Sequence, residues 1–448
     1  MREGQTKSIS EGTPPTAKQG SVRRAAVAVF VVALGLRLAF AFAFGGNEIV
    51  ARFGGNREDP QVYDWAARNL LEDGVLGFRG KPSARRGPAY PLFLSGIYAA
   101  VGDAPLRVRV VQSGVDATAA VLILLAVASV AGRRAGVLSG ITYAGYPIFV
   151  FNASEIMTEV LALMFLAGGM LALFRAVSAQ DGRKPSLVWS AACGVCCGLA
   201  ALTRENLALV GALWAAAMLV AGKATGVRER VCRAGAVALG FAVAYAPWVV
   251  RNTIVFGTFM PAGSSGGENL LRGAGLAREG SAFKWRECLS ENGLLDYWAY
   301  HNPINRGAAF PDEIESDRRA AALAATWIRE DPARHVVYGV EKVLRLLIQI
   351  EERTGSSGGV LRAGQAWAYR LVATLGVIGA IVLWRRGGRF AVGALALLSL
   401  SGWAVIFVVV AWKRYRYVTF DLACVALAGV ALDALIARVR ARRAADQS

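Results

Sequence analysis

The chain has 448 residues, 55% of them hydrophobic, with a mean hydropathy of +0.41 and a formal net charge of +18. A soluble domain of this length would break up its apolar stretches far more often, so a wholly soluble fold is excluded. The basic residues stand in short clusters between apolar runs, which is how membrane proteins set orientation, and this argues against nucleic acid as a partner.

Residues 1–22 are polar and rich in Ser, Thr, Lys and Gly, and read as a disordered cytoplasmic tail. Arg23-Arg24 precede the apolar run Ala25–Phe44. That run is too long for a cleaved signal core and lacks a cleavage site, so it is expected to be the first membrane helix. Residues 45–105 form a first outer loop. It carries the acidic stretch Arg57–Asp64, an amphipathic helix over Gln61–Leu71, and the segment Arg85-Arg86-Gly87-Pro88-Ala89-Tyr90-Pro91. Leu92–Val101 is apolar but short. As a helix it rises about 15 Å, half the hydrocarbon thickness, which suits a re-entrant or interfacial helix.

Later spans are expected at 107–131, 135–151, 154–175, 186–203, 205–222, 234–255, 366–384, 390–411 and 417–437. With the first helix this gives about ten, with both termini cytoplasmic. Arg133-Arg134, Arg183-Lys184, Arg228–Arg233, Arg385–Arg389 and Arg438–Arg443 then all face the cytoplasm, as the positive-inside rule requires. Residues 23–255 form one transmembrane module, 366–437 the C-terminal membrane helices, and 438–448 a basic cytoplasmic tail. Residues 256–365 are a second long outer region. It opens with the Gly/Ser-rich loop Gly257–Gly267, then carries an amphipathic helix over Asp312–Arg329, a break at Asp331-Pro332, and a second amphipathic stretch over His335–Ile350. Both stretches read as helices on the membrane face. The expected fold is an all-α polytopic membrane protein with two long extracytoplasmic loops.

Six cysteines supply no disulfide framework. Cys193, Cys196 and Cys197 lie inside one apolar run and read as small packing residues. His301 and His335 are far apart in sequence, which argues against a histidine-ligated metal.

This topology gathers polar groups at the outer face. Glu58 and Asp59 lie in the first outer loop, Glu155 and Glu159 at the outer end of the fourth span, and Arg204 between the fifth and sixth. Trp248, Arg251 and Asn252 end the seventh span. Lys413, Arg414 and Arg416 sit in a short outer loop against the orientation bias, which suggests an anionic ligand, with contact to lipid headgroups as the alternative. Charges near spans are costly and usually face a cavity or a partner. Together they describe a polar pocket open to both water and lipid, suited to a substrate with a greasy tail and a polar head.

The sequence resembles the GT-C glycosyltransferases, in the branch related to protein O-mannosyltransferases and to bacterial lipid A and lipopolysaccharide sugar transferases. The matching pieces are Asp59-Pro60-Gln61-Val62-Tyr63 with Ala66, Leu70 and Gly74, then Gly87-Pro88-Ala89-Tyr90-Pro91-Leu92, Met157-Thr158-Glu159 and Leu202-Thr203-Arg204. Pro247–Asn252 with Gly257, Gly266–Leu270 and Arg414-Tyr415-Arg416-Tyr417 complete the series in family order. Two departures stand out. Tyr417-Val418-Thr419-Phe420 lacks the usual proline, and the acid pair reads Glu58-Asp59 where many relatives carry Asp-Glu, which leaves open which acid is the base.

The resemblance implies an inverting transfer from a polyprenyl-phosphate sugar to a lipid, glycan or protein hydroxyl, at the outer face of the cytoplasmic membrane. Asp59 is assigned as the general base. Arg251, Arg414 and Arg416 are candidates for the departing phosphate, with Lys413 adding charge. Glu159 would orient an arginine or bind a sugar hydroxyl, and Arg204 would pair with a carboxylate. Tyr63 and Trp248 would line the sugar site, and Glu58, Arg86, Glu155 and Asn252 complete the substrate-binding set. No cofactor is expected to be required; Glu58, Asp59 and Glu159 do not make a complete metal-ligand set. Each residue also has a structural reading: Asp59 as a helix cap, Glu159 as an ion-pair partner, Arg251 as a helix-end anchor, Arg204 as a snorkelling side chain, Trp248 in an aromatic belt. A transporter or flippase of a lipid-linked or anionic solute is the main alternative, although no internal repeat is visible and the charges gather at one face instead of the midplane. A non-catalytic assembly protein is a third reading.

Overall fold

The computed structural model describes residues 15–44, 59–178, 183–221, 226–294, 312–348, 359–410 and 412–447; Glu58 and His301 lie outside them. In chain order the first elements are α1 (Pro15–Phe44), α2 (Asp59–Asp73), a hairpin of β1 (Gly77–Phe78) and β2 (Lys81–Pro82), α3 (Ala89–Val101) and α4 (Pro105–Ala131). Then come α5 (Arg133–Gly145), α6 (Pro147–Asn152), α7 (Glu159–Ser178), α8 (Arg183–Thr203), α9 (Ala208–Val220) and α10 (Val227–Phe256). The second outer region holds α11 (Gly266–Glu279), α12 (Trp285–Glu291), α13 (Glu313–Glu330) and α14 (Pro332–Ile348). The chain closes with α15 (Gly359–Arg385), α16 (Arg389–Val408), α17 (Lys413–Arg416) and α18 (Leu422–Ala445), the last two joined by a π turn over Tyr417–Asp421.

The protein is an all-α polytopic membrane protein. Among the described residues eight helical runs are long and apolar enough to span: α1, α4, α7, α8, α10, α15, α16 and the α17–α18 run. Two of the ten expected spans differ. The third breaks in two, because Pro147 has no N–H to continue the ladder and holds Tyr146 extended (φ −72°, ψ 114°) between α5 and α6. The sixth starts with a 3₁₀ turn over Glu205–Leu207, and its α-helix has only 13 residues, about 20 Å. Two loop expectations also move. α1 begins at Pro15, inside the expected disordered tail, since extending a formed helix adds one hydrogen bond per residue. Gly266 and Gly267 open α11 instead of ending a loop.

α1, α4, α7, α8 and α10 pack in succession, and α5, α18 and α15 close the other side. A Cβ on Gly194 would strike Val237 O and one on Gly240 would strike Ala191 O, so these two glycines set the close approach of α8 and α10. A buried ion pair, Arg37 with Asp116, ties α1 to α4 inside the bundle. In the second outer region Leu271, Ala274, Cys288, Leu289, Ala320 and Ala324 form a separate small core between α11, α12 and α13. Asp312 caps α13, accepting from Ile314 N and Glu315 N, and the chain turns at Asp331-Pro332 into α14. α14 leans on α16 and leaves Val336, Val337, Val340 and Leu344 uncovered, as an interfacial helix would.

Candidate active site

The helix ends sort themselves by chemistry. Glu159 starts α7, Arg204 follows the end of α8, Arg251 lies in the last two turns of α10, and Lys413–Arg416 precede α18. At the other ends of these same helices stand Arg183-Lys184, Arg228–Arg233 and Arg438–Arg443. One end of the bundle is predominantly basic, with Glu229 and Asp433 each paired to arginine; the other mixes both signs.

Asp59 occupies the first turn of α2 at that mixed end and is 7% exposed. Its two oxygens are held by two guanidiniums. Arg86 Nη2 donates to Oδ1 at 2.9 Å and Arg414 Nη1 donates to Oδ2 at 2.6 Å. Burial pushes the carboxyl pKa up, but the adjacent Arg86 and Arg414 outweigh it and hold the group well below the usual carboxylate range. The Arg86 guanidinium also lies 5.8 Å from the Tyr63 ring centroid, and its Nε has no hydrogen-bond partner among the described residues. Tyr63 in turn meets Tyr90 edge-on at 5.1 Å, and its burial raises the phenol pKa, keeping the proton on.

A second pair adjoins the first. Arg204 Nη1 donates to Glu159 Oε1 at 2.6 Å and to Thr158 Oγ1 at 3.0 Å. Its guanidinium lies 5.3 Å from the ring of Tyr415, next to Arg414, and its Nε has no partner among the described residues. Arg204 and Asp59 interact electrostatically, as do Arg414 and Glu159. These five side chains carry three positive charges and two negative ones, a net of +1. They thus hold one more cation than anion, and two guanidinium Nε atoms have no partner among the described residues.

Backbone architecture aims these groups. Arg86 rides on the segment after the β1–β2 hairpin. Gly87 presses that segment against the end of α8, where any Cβ would collide with Leu202 O. The turn before α7 is held from α4. Arg109 Nε donates to Ser154 O at 2.8 Å, and Gln112 Nε2 donates to the carbonyls of Ala153 at 3.2 Å and Glu155 at 2.7 Å. Glu155 is half-buried in that turn, and Lys413 is half-buried beside Arg414.

The other sequence-assigned residues lie elsewhere. Arg251 donates to Leu76 O at 2.7 Å, Ser83 O at 3.0 Å and Asn252 Oδ1 at 2.8 Å, and its guanidinium sits 5.2 Å from the Trp248 ring centroid. It grips the hairpin instead of touching Asp59. Arg416 turns away from Arg414: its Nη1 donates to Leu346 O at 2.9 Å, its Nε is 3.0 Å from Asp421, and it covers Tyr369. Three groups escaped the sequence reading: Arg109, Gln112 and the buried Glu313. Arg109, Gln112, Ser113 and Asp116 do form a polar stripe at helical spacing inside an apolar run, which is a readable signal. Among the described residues no cluster of three His, Cys, Asp or Glu side chains could hold a metal.

Residues 85–250 match the model of the dolichyl-phosphate-mannose-protein mannosyltransferase family. The resemblance read from the sequence is thus borne out over a segment that includes Arg86, Glu159 and Arg204; Asp59 and Arg414 lie outside it. No curated protein matches the chain in sequence. The chain is similar in structure to the oligosaccharyltransferase AglB from Archaeoglobus fulgidus, in complex with an inhibitory peptide and a dolichol-phosphate. That likeness has 13% identity and a TM-score of 0.54, over 96% of this chain and 52% of that one. It is also similar to ArnT from Cupriavidus metallidurans bound to undecaprenyl phosphate, with 15% identity and a TM-score of 0.42, over 94% of this chain and 78% of that one. At 13% identity the property shared with the archaeal enzyme is the fold. The chain spans about half the length of the archaeal enzyme.

Proposed function

We propose that this protein is an inverting glycosyltransferase that moves a sugar from a polyprenyl-phosphate donor to a hydroxyl of a lipid, glycan or protein acceptor. On this reading the mixed-charge end of the bundle faces the extracytoplasmic side of the cytoplasmic membrane and the basic ends face the cytoplasm. The observation that carries it is one carboxylate, Asp59, held between Arg86 and Arg414 in a cluster with one positive charge to spare. A sugar-phosphate-polyprenol is a phosphodiester and brings the one negative charge that the cluster lacks. The family match over residues 85–250 supports the same chemistry, as does the dolichol-phosphate bound by the archaeal neighbour.

The reaction would run as follows. The acceptor oxygen forms a bond to the anomeric carbon while the bond from that carbon to the phosphate oxygen breaks. The electron pair leaves with the phosphate, and the hydroxyl proton passes to Asp59. Asp59 is a poor base while both arginines lie on it, because they stabilise its charged form. The donor phosphate competes for those same guanidiniums. As Arg86 and Arg414 turn to the phosphate oxygens, burial takes over at Asp59 and raises its basicity. Arg414 and Arg86 then stabilise the charge that grows on the leaving group. Glu159 fixes Arg204 beside them.

The test is release of free polyprenyl phosphate by the purified full chain, offered a panel of polyprenyl-phosphate sugars with cell-envelope extract as acceptor. Wild-type release that disappears in Asp59→Asn is expected. Movement of the lipid-linked sugar across proteoliposomes with no release from any donor would overturn the proposal and favour a flippase.

A further inference from the structure

The group nearest in consequence to this site, and absent from its chemistry, is Glu313. It is the first residue of α13 in the second outer region, and it is 3% exposed. Its side chain reaches across 230 residues of sequence to the segment that carries Arg86. Oε1 accepts from Ala84 N at 2.6 Å and from Ser264 Oγ at 3.0 Å, and Oε2 accepts from Ser83 Oγ at 2.9 Å. Ser83 Oγ also accepts from Arg85 N at 3.1 Å, so the chain of bonds runs directly to the residue before Arg86. The same outer layer holds the segment a second time through the ion pair of Arg85 with Glu268, whose own N–H donates to Asp317 at 3.2 Å. Ser264 N donates to Ala84 O at 3.1 Å, closing the loop onto the segment from its other side.

Burying a carboxylate is costly unless its bonds are made, here with the Arg251 guanidinium also close enough to interact with it, and an apolar packing residue would join two layers as well. What the carboxylate adds is direction, since three donors converging on two oxygens fix one register of residues 83–85. The Arg86 side chain then starts from one fixed place, within reach of Asp59. We propose that Glu313 is a positioning residue for the transfer reaction: through Ser83 and Ala84 it fixes the backbone from which Arg86 extends, so that the second outer region sets where that guanidinium reaches, on Asp59 in the free protein and on the phosphate in the donor complex. This rests on the transfer reading above.

Two measurements on the purified full chain test it, and only one of them needs turnover. Without substrate, amide exchange across residues 83–86 speeds up in Glu313→Ala, while exchange in α4 stays at the wild-type rate. With donor, Glu313→Ala lowers kcat for polyprenyl phosphate release by about tenfold to a hundredfold, the scale of a small misplacement of a reacting group. In an Arg86→Ala background the same change costs less than about twofold, because the two act through one contact. Glu313→Gln keeps Oε1 for Ala84 and Ser264 and recovers to within about threefold of wild type. Should Glu313→Ala not fold, the Ser83→Ala/Ser264→Ala double variant removes two of the donors and serves the same comparison. Unchanged exchange at 83–86, or a full additive loss on top of Arg86→Ala, overturns the proposal. A wild-type chain that releases no lipid phosphate ends the transfer reading, and the exchange measurement still decides whether Glu313 holds the segment.

Discussion

Two of the carboxylate–guanidinium sites in this bundle are built to opposite ends. Asp116 and Arg37 sit between α1 and α4 with both side chains fully buried. Asp116 also accepts from Tyr143 Oη at 2.7 Å, and Arg37 spends its remaining donors on Ala33 O at 3.1 Å, Ala144 O at 3.0 Å and Tyr143 O at 3.5 Å. One charge meets one countercharge, and each of the three guanidinium nitrogens has a partner. At Asp59 two cations share one anion, the side chains of Asp59, Arg414 and Arg86 are 11%, 17% and 23% exposed, and a guanidinium N–H is left over. Burial of a charge is common to both sites, so burial does not mark function. Imbalance of charge together with spare donors is the better guide, because it leaves room for a further partner.

The largest expected effect is a reciprocal one. Asp59→Asn should cut sugar transfer by about 10²–10⁴-fold, the usual contribution of a general base, while leaving the melting temperature near wild type, since Arg86 and Arg414 can be hydrated. Asp116→Asn should do the reverse. It strands Arg37 in a dry interior, at a cost of about 3–5 kcal/mol, so that melting temperature and yield fall while the surviving folded protein turns over normally. Equal loss of stability in both variants would erase the distinction. Next in size is Arg414→Lys, which keeps the charge but loses the fork that grips two oxygens. A drop in kcat of about tenfold to a hundredfold is expected in the release assay. Arg251→Ala should act through the hairpin instead. The carbonyls of Leu76 and Ser83 lose their donor, at about 1–3 kcal/mol, so thermal stability falls while donor KM moves less than in Arg414→Lys. A rise in donor KM with unchanged stability would return Arg251 to the phosphate.

The difference between the two sites also explains what could be read from the sequence. Hydropathy and the basic clusters were enough for a polytopic helical bundle, because lipid enforces length and apolarity on every span. Asp59, Glu159, Arg204 and Arg414 were legible because charged residues at helix ends stand out against apolar runs. The break at Tyr146-Pro147 was equally visible as a proline, yet the apolar run continues through it and hides it. Arg251 and Arg416 look identical to Arg414 in sequence, and only packing decides that one holds the hairpin, one holds Leu346 and one holds Asp59. Glu313 gave no signal at all. It is one acid in an amphipathic helix full of them, and its partners Ser83, Ala84 and Ser264 have no pattern that spacing could reveal.

The smallest effect discriminates most sharply between the sites, because it is a shift along the pH axis with no loss of amplitude. Asp59 must be ionised to act, so activity falls on the acid side as pH drops through its pKa. In the free protein Arg86 and Arg414 hold that pKa well below the ordinary range, and the acid limb of kcat/KM, which reports the free enzyme, should lie correspondingly low. In the donor complex the arginines are drawn to phosphate and burial acts on the carboxyl with less opposition. The acid limb of kcat, which reports the complex, should therefore lie at higher pH than that of kcat/KM. Arg86→Gln should move the kcat/KM limb upward toward the kcat limb and leave the latter nearly in place. Coincident limbs in the wild type would mean that the arginines never leave Asp59, and the site would then be a closed ion pair like that of Arg37 and Asp116.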